Sequence, residues 1–232
     1  MQRYDVLLLD ADGTLLDFHA AEKAAMGRCF ISLGLPFDDT IHRRYSAINQ
    51  SLWQQFERGE ISKAEIGENR FQRVLDEFSI PFDGKRVEQA YREALGEEAQ
   101  LVPGALELCR TLAERCRLYI VTNGVSKTQY RRIALSGLKG YFEEVFVSED
   151  AGAQKPQREY FDYVFARIPG FCRERALLVG DSLTSDIQGG VNAGLDTCWY
   201  RPAGTKNLSG LRPTWEIDTL SGLAPLVLGE RR

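Results

Sequence analysis

Apolar residues fall into two patterns along this chain. The first is a set of short apolar runs at residues 4–9, 118–121, 145–147, 176–179 and 197–200. Runs of this length bounded by polar residues predict buried strands. Between them the spacing is helical. Pro103 suits the first position of a helix that would turn Leu106, Cys109 and Leu112 inward. Ser126 and Gln129 have capping-box spacing, and Gly137 supplies a stop. Further helices are predicted over 159–168 and 184–193. Strands alternating with helices imply an α/β domain with a parallel sheet covered on both faces.

The second pattern occupies residues 17–95, where no strand is predicted. One helix would bury Met26, Cys29, Phe30 and Leu33 and end at Gly34. A second carries Ile41, Tyr45, Ile48, Leu52 and Phe56 on one stripe and ends at Gly59. A third opens with a Ser62–Glu65 capping box and buries Ile66, Val74, Leu75 and Phe78. A fourth shows Val87, Ala90, Tyr91 and Ala94. These spacings are helical throughout. The predicted organisation is therefore a sheet domain from 1–16 and 96–232, interrupted by a four-helix insertion over 17–95.

Composition narrows the class. The 232 residues suffice for one large α/β domain with an insertion, and the net charge of −4 supplies no broad basic surface for nucleic acid. No apolar run is long enough to span a membrane, and the start of the chain lacks signal-peptide character. The five cysteines are scattered without a Cys-x-x-Cys pair, which predicts reduced thiols and a cytoplasmic protein. On that reading the Asn-x-Ser sequons at Asn49 and Asn207 are chance.

Four short motifs follow the predicted strands, and the carboxyl ends of parallel strands face a common crevice. In Asp10-Ala11-Asp12-Gly13-Thr14, two carboxylates two residues apart on extended chain point to one side, and Gly13 lets the chain turn. Such a pair can divide labour between nucleophile and proton exchanger. In Thr122-Asn123-Gly124, a hydroxyl and backbone N–H groups near a helix start suit a phosphate. Lys155, backed by Pro156, is placed to offset the charge of a phosphate and an aspartate together. Asp181 and Asp186, within the run 180–186, are oxygen ligands suited to Mg²⁺.

These four motifs, in this order, resemble those of the haloacid dehalogenase (HAD) superfamily phosphatases, and the run 189–195 is similar to the segment after that family's last motif. The resemblance spans essentially the whole chain. It implies a Rossmann-like core with a helical cap after the first motif, closing over small-molecule substrates. It implies Asp10 as the nucleophile that forms an aspartyl-phosphate. Asp12 would protonate the leaving oxygen and then deprotonate the hydrolytic water. Thr122, Asn123 and Lys155 would hold the phosphate. Mg²⁺ would rest on Asp10, the Asp12 backbone carbonyl and Asp181, with Asp186 bonding a metal-bound water.

Departures from the pattern discriminate among relatives. Dehalogenases of the superfamily lack the second aspartate, so Asp12 argues against dehalogenation. Sugar-phosphate mutases carry a histidine in the first cap helix, where Glu22 stands here; His19 and His42 are then surface or boundary residues. Asp17-Phe18, the run 45–53 and Gly59-Glu60-Ile61 are similar to bacterial pyrimidine 5′-nucleotidases that remove noncanonical nucleotides. That likeness implies a nucleoside monophosphate as substrate, with Phe18 or Trp53 stacking on the base. The alternatives are a phosphatase for another small metabolite, such as phosphoglycolate or a sugar phosphate, and, outside the enzymes, a phosphoryl-accepting signalling domain. A P-loop is absent from the sequence.

Overall fold

A computed structural model describes residues 3–201, 207 and 209–229; the predicted start at Met1-Gln2 and the Leu208 of the Asn207 sequon lie outside them. The chain divides into two units, Met1–Phe18 with Ala99–Arg232, and His19–Glu98.

In the first unit six strands form one sheet in the order β3–β2–β1–β4–β5–β6, every neighbouring pair parallel. They are β1 (Val6–Leu9), β2 (Arg117–Thr122), β3 (Glu144–Val147), β4 (Ala176–Gly180), β5 (Asp196–Tyr200) and β6 (Trp215–Ile217). β1 is central: Leu7 faces Leu118 on one side and Leu177 on the other. All four of its residues are buried, which explains why its sequence is apolar throughout rather than alternating. Alternate side chains still go to opposite faces. Leu7, Leu9, Leu118, Ile120, Leu177 and Val179 join one core cluster, and Val6, Leu8, Tyr119, Val121 and Leu178 join the other.

The second unit carries α2 (Asp39–Glu57), α3 (Lys63–Glu77), α4 (Gly84–Gly96) and all of α1 (Phe18–Ser32) except its first residue. The Ser62–Glu65 capping box is present. Its interior is aromatic, with Tyr45 stacked on Phe71 at 4.6 Å and Tyr91 edge-on to Phe71 at 5.1 Å. A buried polar chain runs through it. Glu22 accepts from Ser46 and from Asn49 Nδ2 (2.9 Å), Asn49 Oδ1 accepts from Arg70 (3.2 Å), and Arg70 grips Glu88 with two N–H groups at 2.7 and 2.8 Å. A buried ion needs such partners, because stripping its water costs several kcal/mol. The sequon residue Asn49 is thus buried and engaged.

α5 (Ala105–Ala113), α6 (Ser126–Leu135), α7 (Ser148–Ala151), α8 (Arg158–Arg167), α9 (Gln188–Ala193) and α10 (Leu223–Leu228) complete the first unit. Several local expectations change. Leu106 is 44% exposed, because α5 starts at Ala105 after a left-handed Gly104 and presents Leu108, Cys109 and Leu112 inward. The predicted helix at 184–193 begins as one π turn over Leu183–Ile187. The Ser126–Gln129 capping box does not form: α6 has no side-chain cap, and the Ser126 N–H donates to Glu149. β6 and α10 were not predicted. All five cysteines are free, four of them buried. Among the described residues no helix is long and apolar enough to cross a membrane.

Candidate active site

The first unit brings the motif residues together at the carboxyl ends of its central strands. Asp10 follows β1, Thr122 ends β2 and Asp181 follows β4. Lys155 reaches the same place: its Nζ donates to Asp10 Oδ1 (2.6 Å), Asp186 Oδ1 (2.6 Å) and the Val121 carbonyl (2.9 Å), and it is 1% exposed. Asp186 also caps its own turn, accepting from the Ser182 N–H at 3.0 Å. Asp181 Oδ1 accepts from Thr14 Oγ1 at 3.2 Å. Carboxylate oxygens of Asp10, Asp181 and Asp186 lie within 4.8 Å of one another.

Three carboxylates around one ammonium make an acidic, desolvated centre. Burial pushes the Asp10 carboxyl well above its ordinary range; Lys155 opposes the rise, and the charges of Asp186 and Asp181 add to it. Asp181 is raised to about 7, first by burial and then by Asp186. Burial works against the charge of Lys155, but Asp10 and Asp186 outweigh it and hold its pKa above the usual value.

The Asp12 carboxylate lies outside this trio and turns to α6. Arg132 donates to its Oδ1, and Gln129 Nε2 donates to its Oδ2 at 2.6 Å and to Thr122 Oγ1 at 2.8 Å. Neither Gln129 nor Arg132 was expected at the site from the sequence. Gln129 carried a capping signature that concealed it, and an arginine on an exposed-looking helix sends no signal of its own. Asn123, expected at the phosphate, has its side-chain amide engaged with Lys155 in both directions: Nδ2 donates to the Lys155 carbonyl (2.8 Å) and Oδ1 accepts its N–H (2.9 Å). That amide fixes the backbone from which Lys155 projects.

The model of the haloacid dehalogenase-like hydrolases matches residues 4–194, which contain every one of these groups. The chain belongs to this family. YfnB of Bacillus subtilis, a HAD-hydrolase by name, is 48% identical over 96% of this chain and 95% of its own. Its magnesium-bound crystal structure superposes with a TM-score of 0.93 at 47% identity, over 97% of this chain and 99% of that one. The pyrimidine 5′-nucleotidase PynA of Streptococcus pneumoniae is 40% identical over 95% of this chain and 93% of its own. The pyrimidine 5′-nucleotidase YjjG of Escherichia coli is 31% identical over 97% and 98%. Membership of a hydrolase family sets aside the signalling-domain alternative.

The acidic centre of this HAD hydrolase suits the magnesium ion that the family implies. Its donors are all oxygen, as a hard cation prefers, and the raised affinity of Asp10 and Asp181 for a proton marks negative charge that a cation would offset. Gly13 is part of the same construction. Its φ is +87°, and a Cβ there would fall 2.5 Å from Asp181 Oδ2. Gly13→Ala is expected to cost about 1–3 kcal/mol from backbone strain and to displace Asp181. Thermal unfolding and magnesium titration of the variant check both effects; unchanged stability and metal affinity would refute them.

Of the residues expected to meet a base, Phe18 belongs to the first unit and Trp53 to the second. Phe18 lies with its ring 5.9 Å from the Arg132 guanidinium carbon. Trp53 is half-buried in the helical unit and edge-on to Phe56, which is core. His19 is exposed, and His42 is half-buried with Nε2 3.5 Å from Glu22.

Proposed function

We propose that this HAD hydrolase removes phosphate from a nucleoside 5′-monophosphate, pyrimidines preferred, through an aspartyl-phosphate on Asp10. The observation that carries the reading is the pair of arrangements around Asp10 and Asp12. Lys155 binds Asp10 and Asp186 together, while Asp12 is held beside Thr122 through Gln129. One aspartate is thereby placed against positive charge for attack on an anion, and the other is free of that cluster for proton exchange.

Asp10 attacks phosphorus while the ester P–O bond breaks, and Asp12 gives its proton to the departing oxygen. Water then attacks the phosphoryl group, Asp12 takes a proton from it, and the bond to Asp10 breaks with its electron pair returning to the carboxylate. Thr122 and Lys155 hold the phosphate oxygens. Mg²⁺, when bound by Asp10, Asp181 and the Asp12 carbonyl with Asp186 behind a water, supplies charge compensation and alignment of an anionic nucleophile with an anionic substrate.

The base preference draws on the names of PynA and YjjG, and we assign it to the helical unit acting as a cap, with Phe18 and Trp53 as stacking surfaces. Stacking contributes roughly 1–3 kcal/mol per base, about ten- to a hundredfold in specificity. The test is kcat/KM for dUMP, dTMP, UMP, dAMP, glucose 6-phosphate and phosphoglycolate in Mg²⁺. A pyrimidine nucleotide is expected to lead, and excess EDTA to abolish turnover. A sugar phosphate or phosphoglycolate ahead by about tenfold, about 1.4 kcal/mol, would overturn the nucleotidase reading and leave the phosphatase reading standing. Full activity in EDTA would overturn the metal.

A further inference from the structure

Two of the buried polar side chains of α6, Gln129 and Arg132, take no part in the bond-making and bond-breaking above. Gln129 and Arg132 are each 1% exposed. At spacing i, i+3 they share one face of the helix, and both point to Asp12. The contacts are divided between its oxygens, Arg132 to Oδ1 and Gln129 to Oδ2. They are also tied to each other, since Arg132 NH1 donates to Gln129 Oε1 at 3.2 Å. Gln129 Nε2 serves a second acceptor, Thr122 Oγ1. The chain makes room for this amide at Gly124, where any Cβ would collide with the Gln129 side chain. Burying a guanidinium costs several kcal/mol unless it is well partnered, and an arginine on the solvent face of α6 would avoid that cost.

We infer that Arg132 and Gln129 are positioning residues for Asp12, fixing its carboxylate by both oxygens and holding it in register with Thr122. The inference rests on the aspartyl-phosphate reading. A carboxylate free to rotate would spend little time where it can take a proton from the attacking water. With a substrate whose leaving group departs without a proton, the effect of the two residues therefore falls mainly on the second half-reaction. There the new bond from water oxygen to phosphorus forms as the bond from phosphorus to Asp10 breaks, and the proton of that water passes to Asp12. With p-nitrophenyl phosphate the first half-reaction needs no proton from Asp12, because the phenolate leaves unaided.

The test is rapid-quench kinetics on p-nitrophenyl phosphate with Mg²⁺, comparing wild type with Arg132→Ala, Gln129→Ala and Asp12→Asn. Both α6 variants are expected to slow steady-state kcat by about ten- to a hundredfold, the scale of a misplaced catalytic group. Their burst of p-nitrophenolate should rise toward one per active site, as phosphoenzyme accumulates. Adding Arg132→Ala to Asp12→Asn should cost little beyond Asp12→Asn alone. Should Arg132→Ala fail to fold, Gln129→Ala carries the test, as it leaves the ion pair in place. A fall in kcat without a larger burst, no fall at all, or losses that multiply with Asp12→Asn would each overturn the inference. If no phosphoenzyme can be trapped on Asp10 even in wild type, the aspartyl-phosphate reading itself fails, and the assignment of these two residues falls with it.

Discussion

Asp10→Asn is expected to reduce phosphate release by roughly 10⁴-fold or more, the scale of removing a nucleophile, without loosening the fold. The amide oxygen cannot form the acyl phosphate as a carboxylate does. Stability should move the other way. Asp10 is buried with Asp181 and Asp186 around a single lysine, and burial already drives its carboxyl toward the neutral form. An uncharged isostere removes one negative charge from that group. The metal-free variant should therefore unfold at the same temperature as wild type or higher. The measurements are phosphate release by protein verified by mass to be free of deamidation, and calorimetry in EDTA. Wild-type turnover would remove Asp10 from the chemistry, and a large fall in unfolding temperature would make it a structural residue.

Lys155→Met should show the opposite balance. The side chain is similar in volume, but the ammonium that bonds Asp10, Asp186 and the Val121 carbonyl is gone. Removing one partner of a buried ion pair costs about 3–5 kcal/mol, since the remaining charge stays desolvated. For a domain of this size that is a fall of roughly 6–20 °C in Tm. Mg²⁺ should restore part of the loss by binding the folded state and offsetting the same carboxylates. On the proposed mechanism turnover should fall as well, because Lys155 would serve both Asp10 and the phosphate. Thermal unfolding with and without Mg²⁺ checks the claim. An unchanged Tm in EDTA would show that the three carboxylates do not depend on the lysine.

The sheet was legible because fully buried parallel strands must be apolar on both faces, and runs such as 176–179 contain nothing else. Strand order was not legible: nothing in the sequence of β1 says that it lies between β2 and β4. β6 escaped because only three residues pair there, too few to set up a period. Leu106 was misplaced because the inward stripe of α5 is Ala105, Leu108, Cys109 and Leu112, and Leu106 stands one residue, about 100°, around the helix from Ala105. Asp10 and Asp181 could be picked out because each directly follows a strand, and Asp12, Lys155 and Asp186 because they lie in short polar motifs soon after one. Gln129 and Arg132 could not, since their partner Asp12 lies well over a hundred residues away. The Ser126–Gln129 spacing fitted a cap, but the Gln129 amide reaches across the unit to donate to Asp12 and Thr122 instead of accepting a backbone N–H of its own first turn.

The central place of β1 has a consequence for the order of folding. Its neighbours are residues 117–120 and 176–179. Contacts so distant in sequence make sheet closure slow compared with the local helical segment that intervenes. On a ribosome adding about 5–20 residues per second, β1 emerges roughly ten to thirty seconds before β4 exists to pair with it. During that interval Val6-Leu7-Leu8-Leu9 is an apolar segment without its sheet, and the segment 19–98 can form its helices while it waits. The strand that leads to Asp10 is thus made well before its β4 partner, so nascent chains stalled before residue 176 should be the form most prone to aggregate or to engage chaperones.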